Sequence, residues 1–333
     1  MNTIKNSRTI RALGLCSGGL DSILSALVLR DQGIEVSWIS FETPFFFADS
    51  ATKASRITGV PLQVQDITES YLALLHYPPA GFGKNMNPCM DCHTLMFSKA
   101  GEVMRTQGFD FLFSGEVAGQ RPFSQNKNSM RYVEKNSGYE GFILRPLSAR
   151  LFPVTPMEKN ALVDRDRLGS ISGRSRKTQM AMARQYGITD YPAPAGGCLL
   201  TDPGFSRRLR DLMQVQKQYE ARDLHLLRYG RHFRLDSRIR LVVGRSLEDN
   251  DNILAYYRPD LDVMIRHADL PSPTVLIPGG GSPETVERAA AICAGYTKTV
   301  PGHPARILVH TPEGVSTVTA TAADPKTLGC LMI

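Results

Sequence analysis

Apolar and polar positions alternate in blocks along the first 200 residues. Four short apolar runs have the length and composition of buried strands, near residues 10–16, 35–41, 61–66 and 110–114. The segments between them show helical spacing of apolar residues, near 21–32, 47–58 and 88–107. Strands that alternate with helices predict a doubly wound, mainly parallel α/β sheet, with the ligand site at the carboxyl ends of the strands.

The pattern changes after about residue 190. Residues 190–204 are rich in proline and glycine, which predicts an active-site loop that leads out of the first domain. A basic stretch with helical spacing follows, and a second α/β pattern begins near Arg234. Its strands are predicted near 239–243, 261–266, 273–277, 305–310 and 315–320, and its helices near 246–256 and 282–296. We therefore expect a domain over 1–200, a basic helical linker over 201–233 and a smaller α/β domain over 234–333.

Composition limits the class of protein. The 333 residues are 42% apolar and 21% charged, as in ordinary soluble proteins. No apolar stretch approaches the ~20 residues that cross a bilayer, and no apolar leader precedes the first strand. Six cysteines in a chain of this length do not indicate a disulfide scaffold. We expect a cytoplasmic protein without a membrane partner, and a homodimer is compatible with these features.

Positive charge is concentrated in two neighbouring stretches. The net charge is +7, and residues 205–245 hold eleven Lys and Arg against four Asp and Glu. A second basic cluster lies between residues 165 and 184. Basic stretches with interleaved aromatics favour a nucleic-acid partner, although a solvated helix face would look similar. The residues that we expect to contact RNA phosphates are Arg145, Arg174, Arg176, Lys177, Arg207, Arg208, Arg245 and Arg266.

The hexapeptide Ser17–Ser22, SGGLDS, stands between a predicted strand and a predicted helix. Gly18 and Gly19 let an anion approach the backbone N–H groups, and the helix adds the positive end of its dipole. The hydroxyls of Ser17 and Ser22 are further donors. Asp21 would repel a phosphate unless Mg²⁺ lies between them. The loop therefore predicts a magnesium–phosphate site, and the alternative is an ordinary capped turn.

Three cysteines form the second candidate site. Cys89 and Cys92 lie in NPCMDCH, where Asn87 is the expected N-cap and Pro88 the expected first helical residue. Both thiols then share the first turn of a helix, whose N-terminus should make them readily deprotonated. Cys198 follows two glycines and could join them. Three thiolates leave one metal position open, whereas a redox pair, a zinc site completed by His93 and a structural trio are alternatives.

Several of these stretches resemble known families. Ser17–Ser22 resembles the SGG-x-DS loop of PP-loop ATP pyrophosphatases, which bind ATP, cleave it between the α and β phosphates and leave an adenylated substrate. Four further stretches resemble those of bacterial tRNA 4-thiouridine synthases: Ser114-Gly115-Glu116, Gly119-Gln120, Ser124-Gln125 and Arg145-Pro146-Leu147. The resemblance implies ATP and Mg²⁺ as cofactors, with ATP contacts from Ser17, Gly18, Gly19, Asp21, Ser22, Gly115 and Gln120.

The cysteines resemble those of two related groups. NPCMDCH is similar to a stretch of tRNA 2-thiouridylases, and Cys89, Cys92 and Cys198 are similar to the ligands of three-cysteine, [4Fe–4S]-dependent tRNA thiolases. That resemblance implies a cluster with one open iron for sulfide, and catalytic roles for Asp21, Cys92 and Cys198. In a cluster-free alternative, Cys198 carries a persulfide that Cys92 resolves. The sulfur donor would be sulfide or a cysteine desulfurase.

The last hundred residues resemble the RNA-binding domain of NFACT proteins. The resemblance rests on Val243-Gly244-Arg245, Asn250-Asp251, Asp262-Val263 and the stretch 266–273. It implies that this domain binds the tRNA. The chain has room for neither an N-terminal THUMP-type region nor a C-terminal rhodanese domain, both typical of 4-thiouridine synthases, and the latter gap favours the cluster route.

Together these features predict an ATP-dependent tRNA uridine thiolase that makes 4-thiouridine. Synthesis of 2-thiouridine is the alternative within the same chemistry. Two other classes stay open: a PP-loop amide ligase, which would need neither three cysteines nor an RNA-binding domain, and a non-catalytic RNA-binding or iron–sulfur sensor protein that keeps an inactive loop.

Overall fold

A computed structural model of the protein describes residues 8–193, 197–216 and 218–333. The chain divides into two compact units, the first ending at Thr201 and the second spanning Asp202–Ile333. None of the helices in the described ranges combines the length and the apolar composition needed to cross a bilayer.

In the described part of the first unit, five strands form one parallel sheet. They are β1 (Arg11–Leu15), β2 (Glu35–Glu42), β3 (Leu62–Asp66), β4 (Phe111–Ser114) and β5 (Ile143–Leu144). Their order is β3-β2-β1-β4-β5, and every neighbouring pair is parallel. Both faces of the sheet are buried at its centre, where Trp38 of β2 and Phe113 of β4 are wholly inaccessible.

The helices of this unit cover the sheet. They are α1 (Leu20–Arg30), α2 (Asp49–Thr58), α3 (Thr68–His76), α4 (Cys89–Gln107), α5 (Lys127–Asn136), α6 (Pro156–Lys159) and α7 (Lys177–Gln185). The doubly wound α/β prediction is confirmed. The sequence patterns did not predict α3, α5, α6 or α7.

Strand order reverses between β1 and β4. The chain leaves β1 toward β2 on one side, and β4 pairs with the other edge of β1. The loops that follow β1 and β4 therefore end at the same carboxyl edge, where open α/β sheets bind their ligands.

In the described part of the second unit, six strands form an antiparallel sheet. They are β6 (Arg231–Arg234), β7 (Arg240–Val243), β8 (Val263–His267), β9 (Val275–Ile277), β10 (Pro304–Thr311) and β11 (Gly314–Thr321). Their order is β11-β10-β8-β9-β7-β6. The helices are α8 (Pro203–Val215), α9 (Ala221–Leu226), α10 (Leu247–Ala255) and α11 (Pro283–Gly295).

Both faces of this sheet are covered. Leu241 and Val243 of β7 lie in a core with Ile292 of α11. Val242, which alternation turns to the other face, packs in a second core with Leu226 and Ile253. The α/β prediction for this region is confirmed.

The segment 201–233 is not a linker. Its residues belong to the second unit, where β6 pairs with β7 and Leu226 of α9 packs beneath the sheet. Asp211 of α8 pairs with Arg234 of β6. Helical periodicity was recognised correctly, but a linker would not contribute a strand and core residues to a domain.

Candidate active site

The loop between β1 and α1 depends on Gly18. Its φ is +72°, and a Cβ at this position would lie 2.1 Å from the backbone carbonyl carbon of Ser50. Glycine is therefore required for both conformation and space. Gly19 is the N-cap of α1, and no described side chain caps the helix there. The N–H groups of the first turn thus face this loop without a protein cap.

Asp21 lies in the first turn of α1 and is mostly buried. Its Oδ2 accepts a 2.6 Å hydrogen bond from Nε2 of Gln120, whereas Oδ1 is buried without a hydrogen-bond partner among the described residues. Burial raises the pKa of Asp21, against the lowering effects of the Gln120 hydrogen bond, the Arg176 charge and the nearby Gln179 amide. A bound cation would satisfy the unpaired oxygen and favour the ionised carboxylate.

The loop after β4 packs directly on this turn. A Cβ on Gly115 would lie 2.4 Å from the backbone nitrogen of Ser22 and 2.5 Å from the carbonyl carbon of Asp21. Ser22 Oγ donates to the carbonyl of Gly19 at 2.9 Å and lies 3.3 Å from Ser17 Oγ. The structure thus brings together the residues that the sequence predicts as ATP contacts: Ser17, Gly18, Gly19, Asp21, Ser22, Gly115 and Gln120.

Glu116 is a buried carboxylate beside this site. It accepts hydrogen bonds from Nδ1 of His93 and Nε of Arg145, both at 3.0 Å, and from Ser114 Oγ at 3.1 Å. Burial alone would raise the pKa of Glu116, but the Arg145 charge and the His93 hydrogen bond outweigh it and lower that pKa to about 2. Glu116 is therefore ionised throughout the physiological range.

The prediction that Arg145 contacts RNA is wrong. Its side chain is 5% exposed, and its other nitrogens donate to Glu134 at 3.1 Å and to the carbonyl of Met130 at 3.3 Å. An arginine that is committed to two carboxylates inside the protein cannot reach an external phosphate. Arg145 instead fixes Glu116, a role that the sequence did not reveal.

The cysteine helix begins one residue later than predicted. Pro88 is the N-cap and Cys89 the first residue of α4, while the Asn87 side chain donates to Cys89 Sγ at 3.2 Å instead of capping the helix. Asn85 Nδ2 donates to the carbonyl of Thr201 at 2.8 Å. This bond ties the loop before α4 to the segment that carries Cys198.

The three cysteines of the candidate sulfur site lie within one another's electrostatic influence. Burial raises the pKa of Cys92 well above its usual range, Cys198 and Cys89 raise it further, and the Tyr71 hydroxyl opposes this through a hydrogen bond. Burial also raises the pKa of Cys198 to about 12. The prediction of a readily deprotonated Cys92 is therefore wrong, because loss of hydration outweighs the helix N-terminus.

These thiols do not form a metal-ligand group as arranged. In the described ranges, no three His, Cys, Asp or Glu side chains are close enough to hold a metal ion. His93, the alternative fourth ligand, is bonded to Glu116. The present positions of Cys89, Cys92 and Cys198 do not fit the ligand set that a [4Fe–4S] cluster requires.

The other predicted RNA contacts of the first unit lie near Asp21 or at the surface. Arg174 and Lys177 are exposed. Arg176 is half-buried, its guanidinium lies 5.9 Å from the ring centre of Tyr191, and its Nε has no hydrogen-bond partner in the part of the chain that the structure describes. The Arg176 charge also lowers the pKa of Asp21, so this arginine lies within electrostatic reach of the nucleotide loop.

The predicted RNA contacts of the second unit differ in how exposed they are and in how far internal hydrogen bonds already engage them. Arg207 is exposed, whereas Nε of Arg208 donates to the carbonyl of Leu227 at 2.8 Å. Arg245 is half-exposed and pairs with Asp249 at 2.8 Å. Arg266 donates to Thr274 Oγ1 at 2.8 Å. His267 is buried and accepts two backbone N–H groups of its own turn, so it organises the turn and does not offer itself to phosphate.

Sequence reasoning missed a pocket beside the loop. A cavity of about 160 Å³ lies on the α2 side of Gly18 and is lined by Ile23, Ser50, Lys53, Asp190 and Pro192, among others. Its lining comes from three separated stretches of chain, which no local motif links. Sequence reasoning also missed Tyr71, Gln179 and the loop contacts of Asn85, since each depends on tertiary contact.

Two family models match separate parts of the chain. The family described as thiamine biosynthesis protein (ThiI) matches residues 8–151, and the NFACT protein RNA binding domain matches residues 230–329. The first part of the chain is thus similar to ThiI and the last hundred residues are similar to an NFACT RNA-binding domain. The loop residues around Gly18, Asp21 and Gln120 all lie in the ThiI-type part, whereas Cys198 lies between the two matched regions.

The chain is also similar to curated proteins named tRNA-specific 2-thiouridylase and probable tRNA sulfurtransferase. The tRNA-specific 2-thiouridylase MnmA 1 of Syntrophus aciditrophicus is 29% identical over 237 residues, 65% of this chain and 58% of that protein. A probable tRNA sulfurtransferase of Acholeplasma laidlawii is 29% identical over 149 residues, 41% of this chain and 34% of that protein. A solved structure, a predicted subunit of tRNA methyltransferase from Methanocaldococcus jannaschii, is 14% identical with a TM-score of 0.33, over 53% of this chain and 76% of that one.

Proposed function

We propose that this protein is an ATP-dependent tRNA sulfurtransferase that replaces a uridine carbonyl oxygen with sulfur. The observation that carries the proposal is the double contact of the loop after β4. Gln120 of this loop binds Asp21 of the nucleotide loop, and Glu116 binds His93, the residue next to Cys92. One short segment thus connects the candidate adenylation site with the candidate sulfur site.

The first half of the reaction uses the loop of Ser17–Ser22. Its N–H groups and hydroxyls would bind the ATP phosphates, and the unpaired Oδ1 of Asp21 suits a Mg²⁺ ion. The pocket beside Gly18 adjoins this loop, and the nucleoside end of ATP would lie on that side. The uridine oxygen attacks the α phosphate, pyrophosphate leaves, and the base is held as its adenylate. Positioning and charge neutralisation supply most of the catalysis.

The second half of the reaction uses the thiols of Cys198 and Cys92. A sulfane sulfur carried by Cys198 attacks the activated ring carbon, and AMP leaves with the original oxygen. The Cys92 sulfur then attacks the Cys198 sulfur, which breaks the bond to the transferred sulfur and leaves thiouridine and a Cys92–Cys198 disulfide. An external dithiol must reduce that disulfide before the next turnover, and a cysteine desulfurase would supply the sulfane sulfur.

The substrate assignment follows the domain composition. The second unit would bind tRNA through half-exposed Arg245 of its NFACT-type region and exposed Arg207 of α8. Arg174 and Lys177 of the first unit would make further phosphate contacts. We place the sulfur at C4 of uridine because the ThiI-type match covers the stretches around Gln120 and Gln125. Thiolation at C2 is the alternative outcome of the same assay.

The test is reconstitution of the full chain. Protein purified without oxygen is incubated with tRNA, ATP, Mg²⁺ and either sulfide or cysteine with a cysteine desulfurase. We expect tRNA-dependent pyrophosphate release and a thiouridine detected by mass spectrometry of digested tRNA. Asp21→Asn should abolish both, whereas Asp251→Asn, an exposed charge on α10, should change neither. Pyrophosphate release that depends on added ammonium and yields an amide, with no thiouridine, would overturn the proposal in favour of an amide ligase.

Metal analysis of the same preparation separates the two sulfur routes. Sulfur transfer by protein that contains a Cys198 persulfide and no iron supports the thiol route. Iron at about four atoms per chain, lost together with activity in Cys89→Ser, would instead assign the [4Fe–4S] cluster to Cys89, Cys92 and Cys198. That result would mean that the three thiols move closer together when the cluster binds.

A further inference from the structure

The segment before α7 contacts the loop after β4 although it lies outside both matched regions. Ser148 Oγ donates to the carbonyl of Ile171 at 2.6 Å and accepts from the N–H of Ala118 at 3.0 Å. The N–H of Gly173 donates to the carbonyl of Ala118 at 2.7 Å. These bonds fix the start of α7 against the loop after β4.

Gln179 of α7 is wholly buried at this junction. Its Nε2 donates to Oε1 of Gln120 at 3.1 Å, and Nε2 of Gln120 donates to Asp21 at 2.6 Å. The direction of this chain is fixed, because an ionised carboxylate only accepts. The amide nitrogen of Gln120 must therefore donate to Asp21, which leaves the Gln120 oxygen as the acceptor for Gln179. Gln179 must then donate its own amide nitrogen to that oxygen. The arrangement dictates which carboxylate oxygen of Asp21 is left free.

Three buried polar atoms around this chain lack hydrogen-bond partners within the described ranges. They are Oδ1 of Asp21, Oε1 of Gln179 and Nε of Arg176. Folded proteins bury few such atoms, and each one costs free energy unless a ligand or water pairs with it. Two oxygen acceptors and one cationic donor together suit a hydrated Mg²⁺ ion with a phosphate group.

We propose that Gln179 is a positioning residue for magnesium-bound nucleotide, acting through Gln120 on Asp21, and that Arg176 contacts the phosphates at the same site. This inference rests on the proposed use of ATP. It adds α7 as a third element of the nucleotide site, beside the loops that follow β1 and β4.

The test measures Mg²⁺ dependence of nucleotide binding with an ATP analogue that carries a methylene between the α and β phosphates. Gln179→Met keeps the volume and removes the amide, and Gln185→Met changes an exposed glutamine on the same helix. For Gln179→Met we expect the Mg²⁺ concentration at half-maximal binding to rise on the order of 10-fold. Gln185→Met should match the wild type. An unchanged Mg²⁺ midpoint in Gln179→Met would overturn the inference.

A double-mutant cycle tests the route through Gln120. If Gln179 acts through Gln120, then Gln120→Met with Gln179→Met should raise the Mg²⁺ midpoint no further than Gln120→Met alone. Fully additive shifts would overturn that route.

Hydrogen exchange of the wild type gives a readout that does not depend on a variant folding. Amides of Lys177–Gln185 should gain protection with the analogue and Mg²⁺ together, and not with the analogue alone. Unchanged exchange despite binding would count against the inference. A wild type that binds no magnesium nucleotide would instead refute the proposed function itself, so the two failures are distinguishable.

Discussion

Oε1 of Glu116 lies 3.0 Å from Nδ1 of His93, which directly follows Cys92 on α4. Through this contact the loop after β4 fixes the cysteine helix, and through Gln120 the same loop fixes Asp21. The carboxylate is held in turn by Arg145. A buried ion pair of this kind acts on the geometry of both candidate sites, so its loss should affect more than local stability.

Glu116 should make folding stability depend on pH. Its pKa is about 2 in the folded protein against an ordinary value of 4.5, so the group stabilises the fold above pH 4.5 and loses this effect as pH falls toward 2. The contribution at neutral pH is roughly 3 kcal/mol. We expect Glu116→Gln to lower the free energy of unfolding by about that amount at pH 7, and the gap from the wild type to narrow between pH 4.5 and 2.

Urea unfolding at several pH values measures this difference. Glu102→Gln is the matched control, since Glu102 lies on α4, is largely exposed and pairs with Lys99 at 3.1 Å. It should change stability by less than about 1 kcal/mol at every pH. A gap that stays constant from pH 7 to pH 2 would show that Glu116 is not the titrating group.

Gly18 should tolerate no side chain. Gly18→Ala combines an unfavourable positive φ with a Cβ 2.1 Å from the Ser50 backbone, whereas Gly33 has φ +80° and no described atom within 4 Å of an added Cβ. Gly33→Ala should cost only the conformational term, about 1–2 kcal/mol. Gly18→Ala should cost a further ~1–3 kcal/mol and weaken nucleotide binding. Thermal unfolding and analogue binding measure both effects, and equal losses in the two variants would contradict the steric argument.

Cys92 and Cys198 should be needed for sulfur transfer and not for adenylation. Cys92→Ser and Cys198→Ser should each release pyrophosphate at a rate near that of the wild type, while thiouridine formation falls by more than about 100-fold. Cys89→Ser, at a thiol that this route does not use, should keep both steps. Cys330→Ser replaces an exposed cysteine and should leave both steps unchanged. Loss of pyrophosphate release in Cys92→Ser and Cys198→Ser would indicate that the thiols support the nucleotide site instead.

The exposed basic residues should set the salt dependence of tRNA binding. Removal of one phosphate contact reduces the slope of log affinity against log salt by about 1. We expect this change for Arg207→Ala and for Lys177→Ala, measured by filter binding at several salt concentrations. Lys159→Ala, at an exposed position of α6, is the control. A slope that is identical in all variants would exclude Arg207 and Lys177 from the RNA contact surface.

Local chemistry allowed much of the site to be predicted. The loop from Ser17 to Ser22 and the residues Gly115 and Gln120 have recognisable patterns, and parallel strands bring them to one edge. The Gln120–Gln179 bond joins residues 59 positions apart, and no periodicity indicates it. Arg145 was misassigned because charge in a sequence says nothing about burial.

The cysteines show a similar limit. Cys89 and Cys92 lie in the first turn of α4, close to the predicted position. The raised pKa of Cys92, however, follows from burial that only the packed structure reveals. Helical periodicity likewise located α8 and α9 within 201–233 while giving no sign that Leu226 belongs to a core. Helix and strand assignments rest on local spacing, whereas burial and pairing rest on the tertiary fold.

Because α8 and α9 are part of the second unit, a fragment that contains this unit must include both helices. The matched RNA-binding region starts at residue 230, yet Arg222 of α9 is bonded to Asp262 and to the carbonyl of Tyr256. A fragment that began at residue 230 would leave Asp262 buried without its counter-ion. The natural excision point is therefore after Thr201, and a gene fusion or truncation that respects this junction preserves a complete module.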